Sequence, residues 1–512
     1  MVPIRYNNNN YTNLLQPVTI SSQDLSENFP NVTTVWTTLT KEITQEKDTL
    51  KLKNKEKKTK KRFALGYNVN IDAVVSAIDF FPQFLEFTNL SVEELKPQDK
   101  KEIANAKDLF QVFMYHFKDG RAGERFVTDP NFFRQITDFF FSNCEHTLLL
   151  GGNAGLMADS LAEGGHCVLL AGITGPYLER LIHQDVIFPN CEDLLNNSYS
   201  TSFLTTKQAK WLDQNGINLG ENSDQIHLIL EYPKGSKFCG ITCPRANRFI
   251  ISNDYFNAKV KTMKLFHNYL PTFKPTDIVV TGIHLGDGLE KQGRLKLVNK
   301  FKKNLQTINP RTPIHYEFSS VANEDFIQQI VEKIFPHVNS IGINEQEIAS
   351  IAHTLASHGK DEIELMRSAS PPITLIFQMM KIILDKFQNT KLSRIHFHCL
   401  GYHMIGQIKD IWEDAHNAVA SGSIKASTQA SGYTIQEAVA MKNFATKNLE
   451  FKKHSWKLNG INWNNEGVIR DFDVDSYKFF WAPVAPCKIP IKTVGLGDSI
   501  SISGFMNSNM KK

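Results

Sequence analysis

The stretch Lys492-Thr-Val-Gly-Leu-Gly-Asp-Ser-Ile-Ser501, close to the C-terminus, decides the fold that we predict for this chain. It predicts a short strand, a Gly-x-Gly turn and a helix that starts beside Asp498. Glycines let backbone N–H groups approach a ligand, and the partly positive helix N-terminus favours an anion. Asp498 puts a carboxylate beside this anion hole, which is the arrangement needed to move a phosphoryl group onto a hydroxyl. An ordinary strand–turn–helix corner is the alternative interpretation.

Upstream of this stretch, short apolar runs alternate with helical patterns. The runs lie at residues 147–150, 167–172, 278–282, 313–317, 340–343 and 394–397. A helix follows the first run through Leu161, and others fit residues 325–334 and 345–355. Strands that alternate with helices predict βαβ units, and therefore an α/β fold with a mostly parallel central sheet.

Two stretches, at about 75–142 and 200–255, interrupt this rhythm. Within the second, residues 225–232 and 248–251 have the pattern of strands in a smaller sheet. We therefore predict a small discontinuous α/β lid domain, which covers the C-terminal edge of the main sheet. The predicted boundaries are 75–142 and 200–255 for the lid, and 61–74, 143–199 and 256–512 for the large domain. Residues 1–60 form a polar, Lys-rich segment for which we predict little order.

The composition excludes several classes of protein. The 512 residues carry 57 basic and 53 acidic side chains, a balance that argues against nucleic acid as the main partner. There is no apolar run of about 18 residues, so we expect no transmembrane helix. The N-terminal residues also lack the apolar core of a secretory signal. We therefore expect a cytoplasmic protein, with the endoplasmic reticulum as the disfavoured alternative.

Cysteine and histidine residues were considered as metal ligands. The seven cysteines are scattered and form no CxxC pair, which is typical of buried thiols in a reducing compartment. Cys239 and Cys243 are four residues apart but have no second pair nearby, so packing is favoured over a zinc site. His396 and His398 alternate in a predicted strand and share a face, with His403 following. Pocket-lining or internally hydrogen-bonded histidines are favoured over a metal site.

Polar residues gather where predicted strands end. The stretch at residues 63–72 reads as one buried strand in which Asn68, Asn70 and Asp72 point the same way, as in a ligand site of an open α/β sheet. His315-Tyr-Glu317 ends another strand, and Asn344-Glu-Gln-Glu347 joins a strand to a helix. Carboxylates at strand ends suit Mg²⁺, which phosphoryl transfer requires. Turn-forming residues and surface charges are the alternatives. The chain has neither a P-loop nor protein-kinase signatures.

Six motifs, in order along the chain, resemble those of the ADP-dependent sugar kinases, a family of the ribokinase-like superfamily. They are Asn70-Ile-Asp72, Gly151-Gly-Asn-Ala154, Pro244-Arg-Ala-Asn-Arg-Phe-Ile250, His315-Tyr-Glu317, Asn344-Glu-Gln-Glu347 and Thr493-Val-Gly-Leu-Gly-Asp498. The resemblance covers about residues 60–510, and the segments 123–126 and 394–398 favour the eukaryotic glucokinase branch. It implies a three-layer ribokinase-like core. It also implies transfer of the β-phosphoryl of ADP to the 6-hydroxyl of D-glucose, a glycolytic reaction that gives glucose 6-phosphate and AMP.

The resemblance also implies roles for individual residues. Asp498 is the base for the sugar hydroxyl, and an aspartate of ordinary pKa, although weak, suffices if the proton leaves late. The backbone of Gly495, Leu496 and Gly497 forms the anion hole. One Mg²⁺ is held, partly through water, by Glu317, Asn344 and Glu347 together with Asp498. The residues assigned to the nucleotide are Arg248, a lid arginine whose planar fork suits phosphate, and His398, Tyr402 and Val494 near the adenine.

Residues that would contact the sugar follow from the same motifs. They are Asn70, Asp72, Gly151, Gly152 and Asn153, together with Glu124 and His227. Family members that prefer glucose carry a glutamate and a histidine at the last two positions, and a carboxylate there repels a sugar phosphate. The alternatives are an ADP-dependent phosphofructokinase, an ATP-dependent sugar kinase, and a catalytically silent sugar- or nucleotide-binding relative. We expect a monomer with ADP and D-glucose as its small-molecule substrates.

Overall fold

The computed structural model describes residues 60–172, 175, 177–189, 224–355, 359–368, 371–399, 401–432, 464, 469–484 and 495–511. Most of the predicted N-terminal segment at 1–60 lies outside these residues, as do Val494 and the strand predicted just before Gly495.

In chain order, the strands are β1 (Arg62–Gly66), β2 (Asn70–Ser76), β3 (Glu102–Ile103), β4 (Gly123–Val127), β5 (Thr147–Gly151), β6 (Cys167–Ala171), β7 (Val186–Ile187), β8 (Ile226–Tyr232), β9 (Lys237–Phe238), β10 (Ile241–Thr242), β11 (Asn247–Ser252), β12 (Asp277–Val280), β13 (Ile314–Glu317), β14 (Ser340–Asn344), β15 (Arg394–His398), β16 (Tyr402–Ile408), β17 (Trp412–Glu413), β18 (Arg470–Val474), β19 (Tyr477–Pro483) and β20 (Asn509–Met510).

The helices of the described residues connect these strands. They are α1 (Ala77–Thr88), α2 (Ala106–Phe117), α3 (Pro130–Asn143), α4 (Asn153–Glu163), α5 (Leu178–Leu181), α6 (Tyr255–Ala258), α7 (Met263–Phe273), α8 (Lys291–Thr307), α9 (Glu324–Lys333), α10 (Glu345–Leu355), α11 (Lys360–Met366), α12 (Ile373–Lys386), α13 (Ala415–Ser431) and α14 (Leu496–Met506), with short 3₁₀ turns at Val92–Glu94, Ile283–Gly288 and Phe335–His337. The helices predicted at 325–334 and 345–355 are confirmed. None of the described helices is long and apolar enough to cross a membrane.

The larger sheet contains ten of the described strands, in the order β18-β19-β16-β15-β14-β13-β12-β1-β6-β7. The strands from β15 to β7 are parallel, and β16, β19 and β18 add an antiparallel edge. Strands β12, β13 and β15 are buried along their whole length, because helices cover both faces. One face packs on α7 to α12 and the other on α4 and α14. This is the predicted α/β fold with a mostly parallel sheet.

The smaller sheet contains six described strands, in the order β3-β4-β11-β8-β2-β5. One face packs against phenylalanines of α1 and α2, such as Phe81 and Phe113, whose rings stack 3.7 Å apart. The strands predicted at 225–232 and 248–251 are confirmed as β8 and β11. Alternation of apolar and polar residues leaves the opposite face polar, because successive side chains of a strand point to opposite sides.

The prediction of one strand at residues 63–72 is wrong. The chain forms β1 in the larger sheet, turns, and then forms β2 in the smaller sheet. The pattern changes at the break, since β1 is apolar on both faces whereas β2 has the polar side chains Asn70 and Asp72 on one face. The strand at 147–150, expected in the parallel series, also belongs to the smaller sheet, where β5 pairs antiparallel with β2. Residues 70–74 and 147–151, which we predicted to lie in the large domain, therefore form strands of the smaller sheet.

Candidate active site

The carboxyl ends of three neighbouring parallel strands meet at one edge of the larger sheet. Glu317 ends β13, Asn344 ends β14 and His398 ends β15. The register pairs Glu317 with Gly342 and Asn344 with His398. A Cβ atom at position 342 would collide with the Glu317 carboxylate, so the absence of a side chain there gives Glu317 its room. This edge is where an open α/β sheet binds its ligands.

The N-terminus of α14 points into the same edge. Gly495 caps the helix with φ +73°, a left-handed conformation that favours glycine. The first N–H groups of a helix have no partner within the helix, and here they belong to Leu496, Gly497 and Asp498. The strand–turn–helix prediction is confirmed from Gly495 onward. The predicted anion hole therefore has the backbone donors that an anion needs.

Asp498 lies in the first turn of α14 and is 9 % exposed. Asn153 Nδ2 donates a hydrogen bond of 2.8 Å to Asp498 Oδ1. Burial and the nearby charge of Glu317 raise the pKa of Asp498 to about 7. The ordinary pKa that we expected from the sequence is therefore wrong, and the carboxylate is a stronger base, closer to the pKa that general-base catalysis at neutral pH requires.

Glu317 is surrounded by donors. Ser501 Oγ donates to Oε2 at 2.6 Å, His315 Nε2 lies 3.2 Å from the same oxygen, and His398 Nε2 lies 3.2 Å from Oε1. Although burial opposes ionisation, the hydrogen bonds from His315 and His398 hold the pKa of Glu317 well below its usual range. Glu317 is therefore a permanent negative charge at the end of β13.

Glu347 lies on α10, one turn from the end of β14. Its two oxygens accept hydrogen bonds from the backbone N–H of Asn344 at 2.9 Å and from the Asn344 side-chain amide at 2.8 Å. Burial and the charge of Glu317 raise the pKa of Glu347 to about 8. Glu347 and Asp498 thus both have raised pKa values, for which the charge of Glu317 is one cause, and a cation would compensate this negative charge.

The oxygen donors of this edge fit a hard divalent cation. In the part of the chain that the structure describes, however, no three His, Cys, Asp or Glu side chains are arranged to ligate one ion directly. Mg²⁺ keeps several of its waters in proteins. The Mg²⁺ site predicted at Glu317, Asn344, Glu347 and Asp498, with the ion held partly through water, stays a prediction.

A second layer of polar residues supports Glu317 from inside the sheet. Arg394 is fully buried, and its Nη1 donates to Ser340 Oγ at 2.8 Å, which in turn lies 3.0 Å from His315 Nδ1. Because Arg394 can only donate, the Ser340 hydroxyl accepts from Arg394 and can donate its own proton to His315 Nδ1. This hydrogen bond orients the His315 ring, which contacts Glu317. Sequence analysis did not assign Arg394, Ser340 or Ser501. Only Ser501 carried a local signal, because it follows Asp498 at helical spacing.

Most of the residues predicted to contact the sugar share the polar face of the smaller sheet, whereas Gly152 and Asn153 lie at the start of α4. Side chains paired across neighbouring strands point to the same face. The register pairs Asn70 with Gly151 and Asp72 with His227. On the neighbouring strands, Glu124 is paired with Ile250, and Ile250 is paired with Ile229. His227 and Ile229 are two residues apart on β8, so Glu124 and His227 lie on one face. Arg248 lies two residues before Ile250 on β11, so it lies on the same face. Five segments that are distant in sequence therefore build a single polar surface.

Asparagines connect this surface to Asp498. Asn68 Nδ2 donates to Asn153 Oδ1 at 3.3 Å, and Asn153 contacts Asp498. Gly152, with φ +78°, leaves room for Asn68, whose buried Oδ1 has no hydrogen-bond partner among the described residues. Asn70 Nδ2 donates to Asp72 Oδ1 at 2.7 Å. The candidate base and the polar face thus belong to one site at the junction of the two sheets.

The nucleotide assignments have mixed outcomes. His398 lies at the charged edge, but its Nε2 is engaged with Glu317. The structure does not bring Tyr402 to the site, because its ring is buried in the core beside Phe397 and its hydroxyl donates to the Pro371 carbonyl. Tyr402 and His403 are successive residues of β16, so their side chains point to opposite faces of the larger sheet. Tyr402 was assigned to the nucleotide from its position in the sequence, which does not determine the face on which its ring lies. Val494 lies outside the described residues.

His396 and His403 form a pair of their own, with 3.0 Å between His396 Nε2 and His403 Nδ1. Burial lowers the pKa of both rings, so they are neutral and internally hydrogen-bonded, as favoured from the sequence. Cys239 and Cys243 are free thiols, and Cys243 Sγ donates to the Arg245 carbonyl. Sequence analysis also missed Asp254, which contacts His227, and Asn257, which donates a hydrogen bond to Asp254.

The comparisons with known proteins identify the family of this chain. Residues 61–507 match the model of the ADP-specific phosphofructokinase/glucokinase conserved region. A protein of Bos taurus named ADP-dependent glucokinase is 30% identical over 88% of this chain and 85% of its own. A probable ADP-dependent glucokinase of Caenorhabditis elegans is 29% identical with the same coverage.

Solved structures show the same fold. A hypothetical ADP-dependent phosphofructokinase of Pyrococcus horikoshii OT3 has a TM-score of 0.65 and 21% identity, over 88% of this chain and 97% of its own. An ADP-dependent kinase complex with fructose-6-phosphate and ADPβS has a TM-score of 0.66 and 19% identity, over 92% of this chain and 97% of its own. Because the family model matches residues 61–507, this protein belongs to the ADP-specific phosphofructokinase/glucokinase family.

Proposed function

We propose that this protein transfers the β-phosphoryl group of ADP to the 6-hydroxyl of D-glucose, giving AMP and glucose 6-phosphate. The observation that carries the proposal is the position of Asp498. It lies in the first turn of α14 and is held by Asn153, which also contacts Asn68 beside the polar face. A base that lies between an anion hole and a surface of hydrogen-bonding side chains suits phosphoryl transfer to a sugar hydroxyl.

The chain's own residues account for the main steps. The backbone N–H groups of Leu496, Gly497 and Asp498 stabilise charge on the transferring phosphoryl group, together with the positive end of the helix. Asp498 accepts the proton of the 6-hydroxyl, and its raised pKa strengthens it as a base. Since the phosphoryl-transfer transition state is loose, the proton can leave late.

A magnesium ion is part of the proposal. Glu317, Asn344, Glu347 and Asp498 would hold it, largely through water. When bound, Mg²⁺ neutralises phosphate oxygens and orients the diphosphate. Glu317 is suited to this role because its hydrogen bonds with His315 and His398 keep it ionised.

The choice of glucose as acceptor is supported by the charges on the polar face. Asp72 and Glu124 lie on this face, and a phosphorylated sugar would meet their repulsion, whereas a neutral sugar can donate its hydroxyls to them. The relatives named as ADP-dependent glucokinases support the same acceptor and donor. Cytoplasmic location and a monomeric state stay predictions from the sequence.

The test is an assay with Mg²⁺ and glucose in which ADP and ATP are supplied separately, with AMP followed by chromatography and adenylate kinase excluded. The proposal expects AMP and glucose 6-phosphate in equal amounts from ADP. Product with ATP alone would move the chain to an ATP-dependent sugar kinase on the same fold. Product only with fructose 6-phosphate as acceptor would identify a phosphofructokinase, and binding without product would indicate a silent relative.

A further inference from the structure

A buried carboxylate lies behind His227 on the smaller sheet. His227 is the second residue of β8 and lies on the polar face of the smaller sheet, and its Nε2 lies 3.0 Å from Asp254 Oδ2. Asp254 follows β11 and is 4 % exposed, and His227 is 6 % exposed. Nothing in the motifs of the sequence drew attention to Asp254, which lies 27 residues after His227.

Asp254 is itself held in place. The backbone N–H of Asn257 donates to Asp254 Oδ1 at 2.8 Å, and the Asn257 side-chain amide donates to Asp254 Oδ2 at 2.6 Å. The same amide donates to the Val69 carbonyl at 2.9 Å, in the turn that joins β1 to β2. Asp254 is therefore fixed to the junction of the two sheets, beside the strand that carries Asn70 and Asp72.

This arrangement determines which nitrogen of the His227 ring is used. Both oxygens of Asp254 accept hydrogen bonds from Asn257, so the carboxylate acts as an acceptor and Nε2 of His227 carries the proton that it donates. The other nitrogen, Nδ1, is then the one available to a ligand. A carboxylate that accepts from one ring nitrogen fixes both the tautomer and the orientation of the imidazole.

The groups around the ring favour its charged form. Burial alone would lower the pKa of His227, but the hydrogen bond to Asp254 and the negative charges of Asp254, Asp72 and Glu124 raise it. Arg248, on the same face, and His284, in the 3₁₀ turn Ile283–Gly288, would disfavour a positive charge on His227. Burial lowers the pKa of His284 to about 4, so His284 is neutral. Ser252, opposite His227 on β11, carries no charge.

We propose that Asp254 is a positioning residue for acceptor binding. It keeps His227 protonated on Nε2 and directs Nδ1–H of the charged ring to an oxygen of the sugar. Asp254 does not touch the sugar and acts only through His227. The inference rests on the proposed function for the identity of the acceptor, but the arrangement of Asp254, His227 and Asn257 does not depend on it.

The test compares Asp254→Asn with the unaltered protein over pH 6 to 9, a range that brackets the ordinary titration of histidine. An asparagine keeps the shape and can still accept from Nε2, but it no longer stabilises the imidazolium. We expect KM for glucose to increase about tenfold at pH 8, a change of about 1.4 kcal/mol, and to approach the unaltered value near pH 6. KM for ADP and kcat should change less than about twofold.

The controls separate positioning from general damage. Asp277→Asn removes an equally buried carboxylate at the amino end of β12, away from the site, and should leave KM for glucose unchanged at every pH. Asp254→Glu, which restores the charge, should recover part of the loss. If Asp254→Asn does not fold, Asn257→Ser removes one donor to Asp254 and should give a smaller change in the same direction.

Outcomes for the two proposals are distinguishable. If the unaltered protein forms no product from ADP and glucose, the proposed function fails before any variant is compared, and glucose binding measured by calorimetry replaces KM. If the protein is active but Asp254→Asn has an unchanged KM for glucose, the inference is wrong. An increase that is equal at all pH values and extends to ADP would also overturn it, because that result is expected of a purely structural residue.

Discussion

The charged edge of the larger sheet and the polar face of the smaller sheet are built in different ways. At the edge, Glu317, Glu347 and Asp498 are nearly fully buried, and Glu317 has hydrogen bonds on both of its oxygens. On the polar face, Asn70, Asp72 and His227 are also buried, whereas Glu124 is exposed and Arg248 half-buried. A cluster of carboxylates that is buried throughout suits chemistry, and a face with a solvent-exposed carboxylate suits the selection of an acceptor that enters and leaves. This division predicts which kinetic parameter each region controls.

The largest effect is expected from the loss of the base. Asp498→Asn removes the group that accepts the hydroxyl proton, so kcat should fall by about 10³-fold or more, whereas ADP binding should stay nearly intact. Steady-state kinetics and calorimetry with ADP measure the two quantities. Asp471→Asn, which changes a similarly buried carboxylate on β18, is the matched control. Near-normal turnover of Asp498→Asn would remove the assignment of the base.

A methyl group at position 342 should disturb the charged edge without changing any polar residue. Gly342→Ala would place a Cβ against the Glu317 carboxylate and Ser501 Oγ, so Glu317 must move. We expect kcat to fall about 10- to 100-fold, the cost typical of a small misplacement near the chemistry. Gly288→Ala is the control, because a Cβ there meets no atom within 4 Å. Equal activity of the two variants would show that the position of Glu317 is unimportant.

On the polar face, Glu124→Ala should change acceptor choice more than turnover. We expect KM for glucose to increase about tenfold, because the variant lacks the carboxylate that would accept a hydrogen bond from the sugar. The value of kcat should change little. Activity with fructose 6-phosphate should increase, because the carboxylate no longer repels its phosphate. Kinetics with both sugars test this, and an unchanged ratio of kcat/KM for the two sugars would contradict it.

The smallest effect concerns stability. The carboxyl of Glu347 has a folded pKa of about 8 against an ordinary value of 4.5, so the folded state binds its proton more tightly than the unfolded state. For a raised carboxyl pKa, the contribution of that group to the free energy of unfolding is largest below about pH 4.5 and is lost as pH rises from about 4.5 to 8. Glu347→Gln should therefore raise the melting temperature by a few degrees at pH 8 and leave it unchanged near pH 4.5. Thermal unfolding with a chelator measures this.

Magnesium offers a control for the same experiment. If the ion is held near Glu347, adding Mg²⁺ at pH 8 should stabilise the unaltered protein more than Glu347→Gln, because binding to the folded state raises its stability. An equal response of the two proteins would place the ion elsewhere.

The parts of the fold that sequence predicted well have local signals. The bounds of α10 and the start of α14 follow from helical periodicity and from Gly495, and the residues of the charged edge lie in short motifs at strand ends. The break between β1 and β2 was missed, because an apolar run that continues into an alternating one does not reveal that the strands belong to different sheets.

Contacts between distant residues could not be read from one sequence. Ser501 lies 184 residues after Glu317, and Arg394 lies 54 residues after Ser340, yet each pair is in hydrogen-bond contact. Tyr402 was assigned to the nucleotide because of its neighbours in sequence, and the fold turns its ring into the core. Glu124 and His227 were assigned through resemblance, and only the strand register brings them to one face.

The most direct measurement compares Asp498→Asn and Glu124→Ala in parallel, with kcat and KM for glucose determined at saturating ADP and Mg²⁺. The division between the two regions predicts that Asp498→Asn lowers kcat with little change in KM, and that Glu124→Ala raises KM with little change in kcat. A comparable loss of kcat in both variants would contradict the separation of chemistry from acceptor selection.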